Sequence, residues 1–234
     1  MALILFAAII QCDMYCTSNP RFSAFPASPL DQWRFRIIKR GLDILVASLA
    51  LLLFVPVWVV VSLAIGLESV LTGQQGGIFY GQERITRGGH SFLMYKFRTM
   101  KPTAESSSGP VWACRDDQRT TRVGQFLRRA SLDELPQLWN ILKGEMSFVG
   151  PRPERPFFVD RFSQEIPRYN QRHAVKTGLT GWAQIHGLRG DTSLEQRVAY
   201  DLYYIEHWSL KLDLYIIWCS FAVVFKDFYS HRAY

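Results

Sequence analysis

Between Asp43 and Glu68 the chain carries no charged side chain over 24 residues. As an α-helix that run would extend about 36 Å at roughly 1.5 Å per residue. A hydrocarbon core is about 30 Å thick, so a plain transmembrane helix is the simplest reading. Two features oppose it. Pro56 sits mid-run, where it removes a main-chain hydrogen bond and bends a helix. Basic residues also flank the run on both sides, with Arg34, Arg36, Lys39 and Arg40 before it and Arg84, Arg87, Lys96, Arg98 and Lys101 after it. Positive flanks favour the cytoplasmic side, so both ends point to the same side. A helix that enters the bilayer, breaks at Pro56 and returns meets both conditions. The expectation is a re-entrant helix-break-helix hairpin over residues 34–70, with a straight span as the alternative.

The other 210 residues of the 234 frame that element. Hydrophobic residues make up 48%, enough for a packed core. The formal charge of +7 predicts acidic partners, whether nucleic acid, anionic lipid or phosphorylated substrate. Nucleic acid is disfavoured, because the uncharged run is an aggregation hazard in a soluble protein. Cys12, Cys16, Cys114 and Cys219 lack the companions of a zinc site and read as free thiols in a reducing compartment. Residues 1–10 are apolar but lack a preceding Lys or Arg, and they are too short to span. Residues 1–33 therefore read as an extension and linker, and 71–234 as the soluble body with membrane-surface helices.

Within that body, Ile78–Tyr80 and Ser91–Tyr95 around Gly88-Gly89 predict a β-hairpin. Residues 102–110 form a polar loop, and 122–130 a short basic helix or turn. Leu132, Leu135, Leu138, Trp139 and Leu142 share a helical face over 131–143, which Gly144 ends. Residues 156–174 are amphipathic and 193–207 helical, while Leu214–Phe225 is either core or a membrane-surface helix. The class is α+β, helix-rich.

Chemistry concentrates in Ser131–Asn140. Ser131 and Glu134 have capping-box spacing, and carboxylates suit a first helical turn in any case. The same residues also allow an active site. Asp133 is a carboxylate that can attack phosphorus, and the neighbouring Glu134 can help hold Mg²⁺ beside phosphate oxygens. Arg98, Arg128, Arg129 and Arg152 offer phosphate contacts. No P-loop, no G-x-G-x-x-G after a strand and no Asp-x-Asp is present, and His173, His186 and His207 are scattered.

Several longer motifs occur in order. They are Lys39-Arg40-Gly41-Leu42-Asp43, Tyr80-Gly81-Gln82-Glu83-Arg84, Lys96-Phe97-Arg98-Thr99-Met100 and Leu127 through Gln137. Gly144 through Pro153, Gly178-Leu179-Thr180-Gly181-Trp182-Ala183-Gln184 and Tyr200-Asp201-Leu202-Tyr203-Tyr204 complete the set. On these motifs the chain resembles the bacterial sugar transferases, or monotopic phosphoglycosyl transferases. The resemblance implies that Asp133 attacks the β-phosphate of a UDP-sugar, forms a phosphosugar ester and releases UMP. It implies that Glu134 helps bind Mg²⁺, and that undecaprenyl phosphate then attacks the intermediate. Asp201 becomes a candidate base or lipid-phosphate contact. Arg152, in Pro151-Arg152-Pro153, closes over the site, and Lys96 and Gln184 join the arginines as substrate and phosphate contacts. The implied setting is the bacterial inner membrane, with the catalytic body facing the cytoplasm and a homodimer left open.

This chain departs from the family pattern at Thr177, where relatives often carry Pro, and at Ile85, where a Gly is common. With only residues 1–33 upstream it reads as the minimal catalytic version. Gly187–Ser193 and Tyr200–Tyr204 look most like glucose-1-phosphate members of exopolysaccharide pathways, with galactose or an N-acetylhexosamine as alternatives. The competing class is a non-catalytic basic membrane scaffold whose carboxylates only cap a helix.

Overall fold

A computed structural model describes residues 25–230, apart from 75, 103, 105–110, 112–116 and 191. The expectations for residues 1–24, for Cys12, Cys16 and Cys114, and for most of the 102–110 loop fall outside the described residues. The fold is α+β and rich in helix.

Helix α1, Trp33–Thr72, is 40 residues long and passes through Pro56 without interruption. In place of the expected two helices separated at Pro56, the chain forms one. Proline lacks a single N–H, and the Leu- and Val-rich sequence on either side continues the helix past it. Among the described residues this is the one helix long and apolar enough to cross a membrane. It stops at Gly73, whose φ of 66° suits a glycine in the left-handed region.

One face of α1 lies against the body along its length. Lys39, Asp43, Ala47, Val61 and Ile65 are buried, while Leu49, Leu53, Val60 and Leu67 face outward. Both ends are tied to the same body. Arg40 donates to the Ile141 and Leu142 carbonyls at 2.5 and 2.7 Å. Asp43 Oδ1 accepts from Ser147 Oγ at 3.0 Å and Phe148 N at 2.8 Å. At the far end Glu68 Oε1 accepts from the Arg122 and Val123 amides at 2.8 and 3.2 Å. These are first-turn donors of the next helix, which otherwise lack partners.

The hairpin forms as expected but is longer. β1, Phe79–Ile85, pairs antiparallel with β2, Ser91–Phe97, from Phe79 opposite Phe97 to Ile85 opposite Ser91. Gly88 and Gly89 turn the chain at φ 68° and 80°. Next come α2, Arg122–Arg129, and α3, Gln137–Lys143. Strand β3, Ser147–Val149, pairs in parallel with β4, Gly178–Thr180. Beside that pair a Cβ on Gly178 would fall 2.1 Å from Gly150 N, so glycine is required for the approach.

α4, Pro156–Glu165, forms the first part of the amphipathic stretch 156–174. Arg168 adopts φ 63° and a separate 3-10 turn follows over Tyr169–Ala174. α5, Trp182–Ile185, α6, Leu194–Glu206, and α7, Leu210–Ser230, complete the chain. α7 has one face in the core and one exposed. Asp213 and Ile216 point into the core, while Leu214, Trp218, Phe221 and Phe225 are exposed at helical spacing. The largest core cluster, including Val149, Phe158, Phe162, Tyr169, Leu202 and Ile205, joins α4, α6 and β3. Two smaller clusters join α1 to the hairpin, one around Ala47, Met94 and Ile141 and the other around Ile65, Phe97 and Leu127.

Candidate active site

Asp133 and Glu134 occupy a 3-10 turn, Leu132–Glu134, between α2 and α3. The helix expected over 131–143 is broken there. Pro136 has no N–H to continue it and stands as the residue preceding α3. The capping box does not form. Ser131 makes no side-chain cap bond and adopts φ 54°, ψ 19°. A non-glycine residue held in the left-handed region costs about 1–2 kcal/mol, and such strain concentrates at functional sites. The carboxylates therefore sit in a turn of their own, not in the first turn of a capped helix.

Strand β2 brings Lys96 to this turn, and the segment after β3 brings Arg152. Lys96 Nζ lies 2.9 Å from Glu134 Oε1 and 3.7 Å from Asp133 Oδ2. Arg152 Nη2 lies 2.8 Å from the same Glu134 oxygen. The two carboxylates respond differently. Burial alone would raise Glu134, but Arg152 and Lys96 outweigh it and hold its carboxyl well below the ordinary range. Burial raises Asp133 above 3.8 against the pull of Lys96, and the charge of Glu134 adds to the rise. Glu134 thus absorbs the cations. Asp133, 6% exposed, is left the more basic carboxylate and the better electron-pair donor once ionised.

Lys96 and Arg152 thus meet at Glu134 beside Asp133, and Arg128 and Arg152 act on Asp133 through their fields. Arg128 Nε itself donates to Thr99 Oγ1 at 3.1 Å. The other candidate residues have these surroundings. Arg98 donates to Ser69 Oγ near the end of α1, and Arg129 is exposed on the last turn of α2. Gln184 is buried and donates to the Leu179 carbonyl at 3.0 Å. Asp201 is 2% exposed and holds Arg172 Nε and Nη2 at 3.0 and 2.7 Å. Its Oδ2 is thus engaged in an internal ion pair. Burial raises its carboxyl, with Arg172 pulling the other way. Arg84, which closes the Tyr80–Arg84 motif, joins Glu154, Tyr169, Arg172 and Arg197 in the polar shell next to it, and no spacing in the sequence singles out the last four.

The donor set suits a hard divalent cation. Asp133 and Glu134 offer carboxylate oxygens from adjacent residues, and Mg²⁺ commonly takes one or two carboxylates with water and phosphate oxygens. Both cation contacts of Glu134 fall on Oε1. Among the described residues no group of three or more His, Cys, Asp or Glu could hold a metal, so further ligands would come from substrate and water.

A family profile described as bacterial sugar transferase matches residues 34–227. The chain is 44% identical over 203 residues to the UDP-glucose:undecaprenyl-phosphate glucose-1-phosphate transferase of Escherichia coli (strain K12), covering 85% of this chain and 42% of the relative. It is 41% identical over 196 residues to the UDP-N-acetylgalactosamine-undecaprenyl-phosphate N-acetylgalactosaminephosphotransferase of Aeromonas hydrophila, covering 83% and 45%. A UDP-glucose:undecaprenyl-phosphate glucose-1-phosphate transferase of Caulobacter vibrioides (strain ATCC 19089 / CIP 103742 / CB 15) is 44% identical over 196 residues, covering 82% and 71%. The chain thus spans less than half the length of the first two of these relatives.

Proposed function

The chain belongs to the bacterial sugar transferase family, and from that premise we propose that it moves a sugar-1-phosphate from a UDP-sugar to undecaprenyl phosphate. The observation that carries the reading is the unequal carboxylate pair, with Asp133 buried and basic beside a Glu134 that Lys96 and Arg152 neutralise. A carboxylate approaching a diphosphate is repelled unless cations lie alongside. Lys96 and Arg152 are cations that substrate phosphate oxygens can share with Glu134.

In the first step an Asp133 oxygen attacks the β-phosphorus. The bond from that phosphorus to the bridging oxygen breaks, and UMP leaves with the electron pair. The result is an acyl phosphate carrying the sugar. In the second step a phosphate oxygen of undecaprenyl phosphate attacks the same phosphorus, the Asp133 ester bond breaks and the carboxylate is restored. Asp133 and Glu134 would hold Mg²⁺, which supplies neutralisation of charge on the diphosphate. The lean is to glucose, the sugar in the names of the Escherichia and Caulobacter relatives, with N-acetylgalactosamine in the Aeromonas name as the alternative. The lipid-linked product would start a polysaccharide repeat unit.

The proposed topology is monotopic, with residues 34–70 re-entering through a bend at Pro56 and residues 71–234 on the cytoplasmic side of the inner membrane. It is supported by the two ends of α1, which bond to one body at Arg40 and Asp43 and again at Glu68. A straight span would leave about 30 Å of hydrocarbon between them. The exposed stripe Leu214, Trp218, Phe221 and Phe225 on α7 supports contact with the membrane surface. The test is UMP release by the full chain, presented with undecaprenyl phosphate and a panel of UDP-sugars. Turnover with one sugar is expected, and silence with every sugar in the panel would contradict the reading.

A further inference from the structure

The Pro151-Arg152-Pro153 segment is held by its backbone. Two of its residues are prolines, whose φ is fixed. All three of its carbonyls are occupied from outside. The Pro151 carbonyl accepts from Gly178 N at 2.9 Å. The Arg152 carbonyl accepts from Arg172 Nη2 at 2.9 Å, and the Pro153 carbonyl from Arg84 Nη1 at 3.0 Å. Each arginine is itself anchored. Arg172, 1% exposed, is held by Asp201 and donates through Nη1 to Tyr169 Oη at 3.1 Å. Arg84 stands 3.5 Å from Glu154, which also takes Arg197 Nη1 at 3.2 Å.

Buried ion pairs are weak devices for stability, because desolvation offsets much of their attraction. Their geometry here serves something more specific. A guanidinium presents its donors in a fixed planar fork, so one side chain can grip a carboxylate, a phenol and a main-chain carbonyl together. The carbonyl that Arg172 grips belongs to the residue whose side chain meets Glu134. We infer that Arg172, braced by Asp201 and Tyr169, and Arg84, braced by Glu154, are positioning residues that fix the Pro-Arg-Pro backbone so that Arg152 is aimed at Glu134 and at substrate phosphate. The inference rests on the transferase reading. Preorganised cations of this kind stabilise developing charge without reorganising at the moment of reaction.

The test is a cycle in the full-length protein with Arg172→Lys, Arg152→Lys and the double variant. Lysine keeps a charge for Asp201 but cannot reach all three acceptors. A loss of about tenfold or more in kcat/KM is expected for Arg172→Lys, because a loosened Arg152 no longer meets substrate phosphate in a fixed position. If Arg172 acts through Arg152, the same substitution costs little further in the Arg152→Lys background. Losses that multiply in the double variant would overturn the inference.

Tyr169→Phe, which removes one acceptor and no charge, gives a smaller loss of the same kind and covers the case in which Arg172→Lys does not fold. Amide exchange provides a readout independent of turnover. Peptides spanning 147–158 should exchange faster in Arg172→Lys, or in Tyr169→Phe if it replaces that variant, while α2 and α3 stay unchanged. Unchanged exchange across 147–158 would sink the positioning role. A wild-type chain inactive on every UDP-sugar would refute the transferase reading while exchange still decides the positioning role.

Discussion

Lys39→Met should be among the most destabilising single changes near the start of α1. Lys39 Nζ lies 2.7 Å from Asp213 Oδ2, joining the start of α1 to α7, and the Asp213 side chain is 0% exposed. Trp208 Nε1 and Tyr204 Oη also donate to Asp213, at 3.0 and 2.8 Å. The Tyr204 hydroxyl additionally lies 3.1 Å from the Val149 carbonyl, just before the Pro-Arg-Pro segment. Without Lys39, a fully buried carboxylate keeps two neutral donors and no counter-charge. Breaking a buried pair from one side costs about 3–5 kcal/mol. At roughly 2–4 °C per kcal/mol for a chain of this size, the thermal midpoint should fall by about 6–20 °C. The assay is thermal unfolding in detergent, followed by tryptophan fluorescence. Lys39→Met paired with Asp213→Asn removes both charges and keeps one oxygen, which can accept from Trp208 Nε1 while the Tyr204 hydroxyl turns to the Val149 carbonyl, so it should recover most of the loss. A drop of under about 2 °C in the single variant, or a double variant worse than the single, would refute the reasoning.

Three further outcomes follow from the site and the helix. Asp133 is raised above 3.8 by burial, so it takes up a proton as pH falls while an ordinary aspartate is still ionised. The acid limb of kcat/KM should therefore lie above 3.8 and move higher in Lys96→Met, which loses a lowering charge, and a limb unmoved by that variant contradicts the electrostatic account. EDTA should stop turnover while circular dichroism is unchanged, and turnover that persists removes the metal role from Glu134. In a background lacking Cys12, Cys16, Cys114 and Cys219, cysteines at Ala27 and Gln164 should both stay unlabelled by an impermeant thiol reagent in intact spheroplasts and react after lysis. Labelling of position 27 alone in intact cells would establish a straight span.

The sequence made some elements legible because their signals are local. Two apolar runs around Gly88-Gly89 announce a hairpin, and the turn needs positive φ at both glycines. Lys96 and Arg152 were likewise found through their motifs. The Ser131–Glu134 spacing misled because a capping box is defined by side-chain types, while the backbone here takes a left-handed turn at Ser131. Pro136 was the available warning, since a proline five residues into the expected helix removes a donor from its first turns. Asp201 was visible in its Tyr-Asp-Leu motif but its ion-pair partner was not, because Arg172 lies 29 residues away with no periodic relation. Arg84 was visible at the end of its motif, but its contacts with Glu154 and the Pro153 carbonyl, 70 and 69 residues on, were hidden for the same reason. Pro56 was read as a break, yet one missing donor does not end a helix with apolar residues on both sides.

The most direct test of the central claim is mass spectrometry of the peptide that contains Asp133. The full-length protein is incubated with a UDP-sugar and divalent cation, without undecaprenyl phosphate, and quenched in acid. That peptide should gain the mass of the phosphosugar group, with fragmentation assigning it to Asp133. The addition should disappear when undecaprenyl phosphate is supplied, and Asp133→Asn should neither gain it nor release UMP. Turnover by a folded Asp133→Asn variant, or an adduct carried on another residue, would contradict Asp133 as the nucleophile.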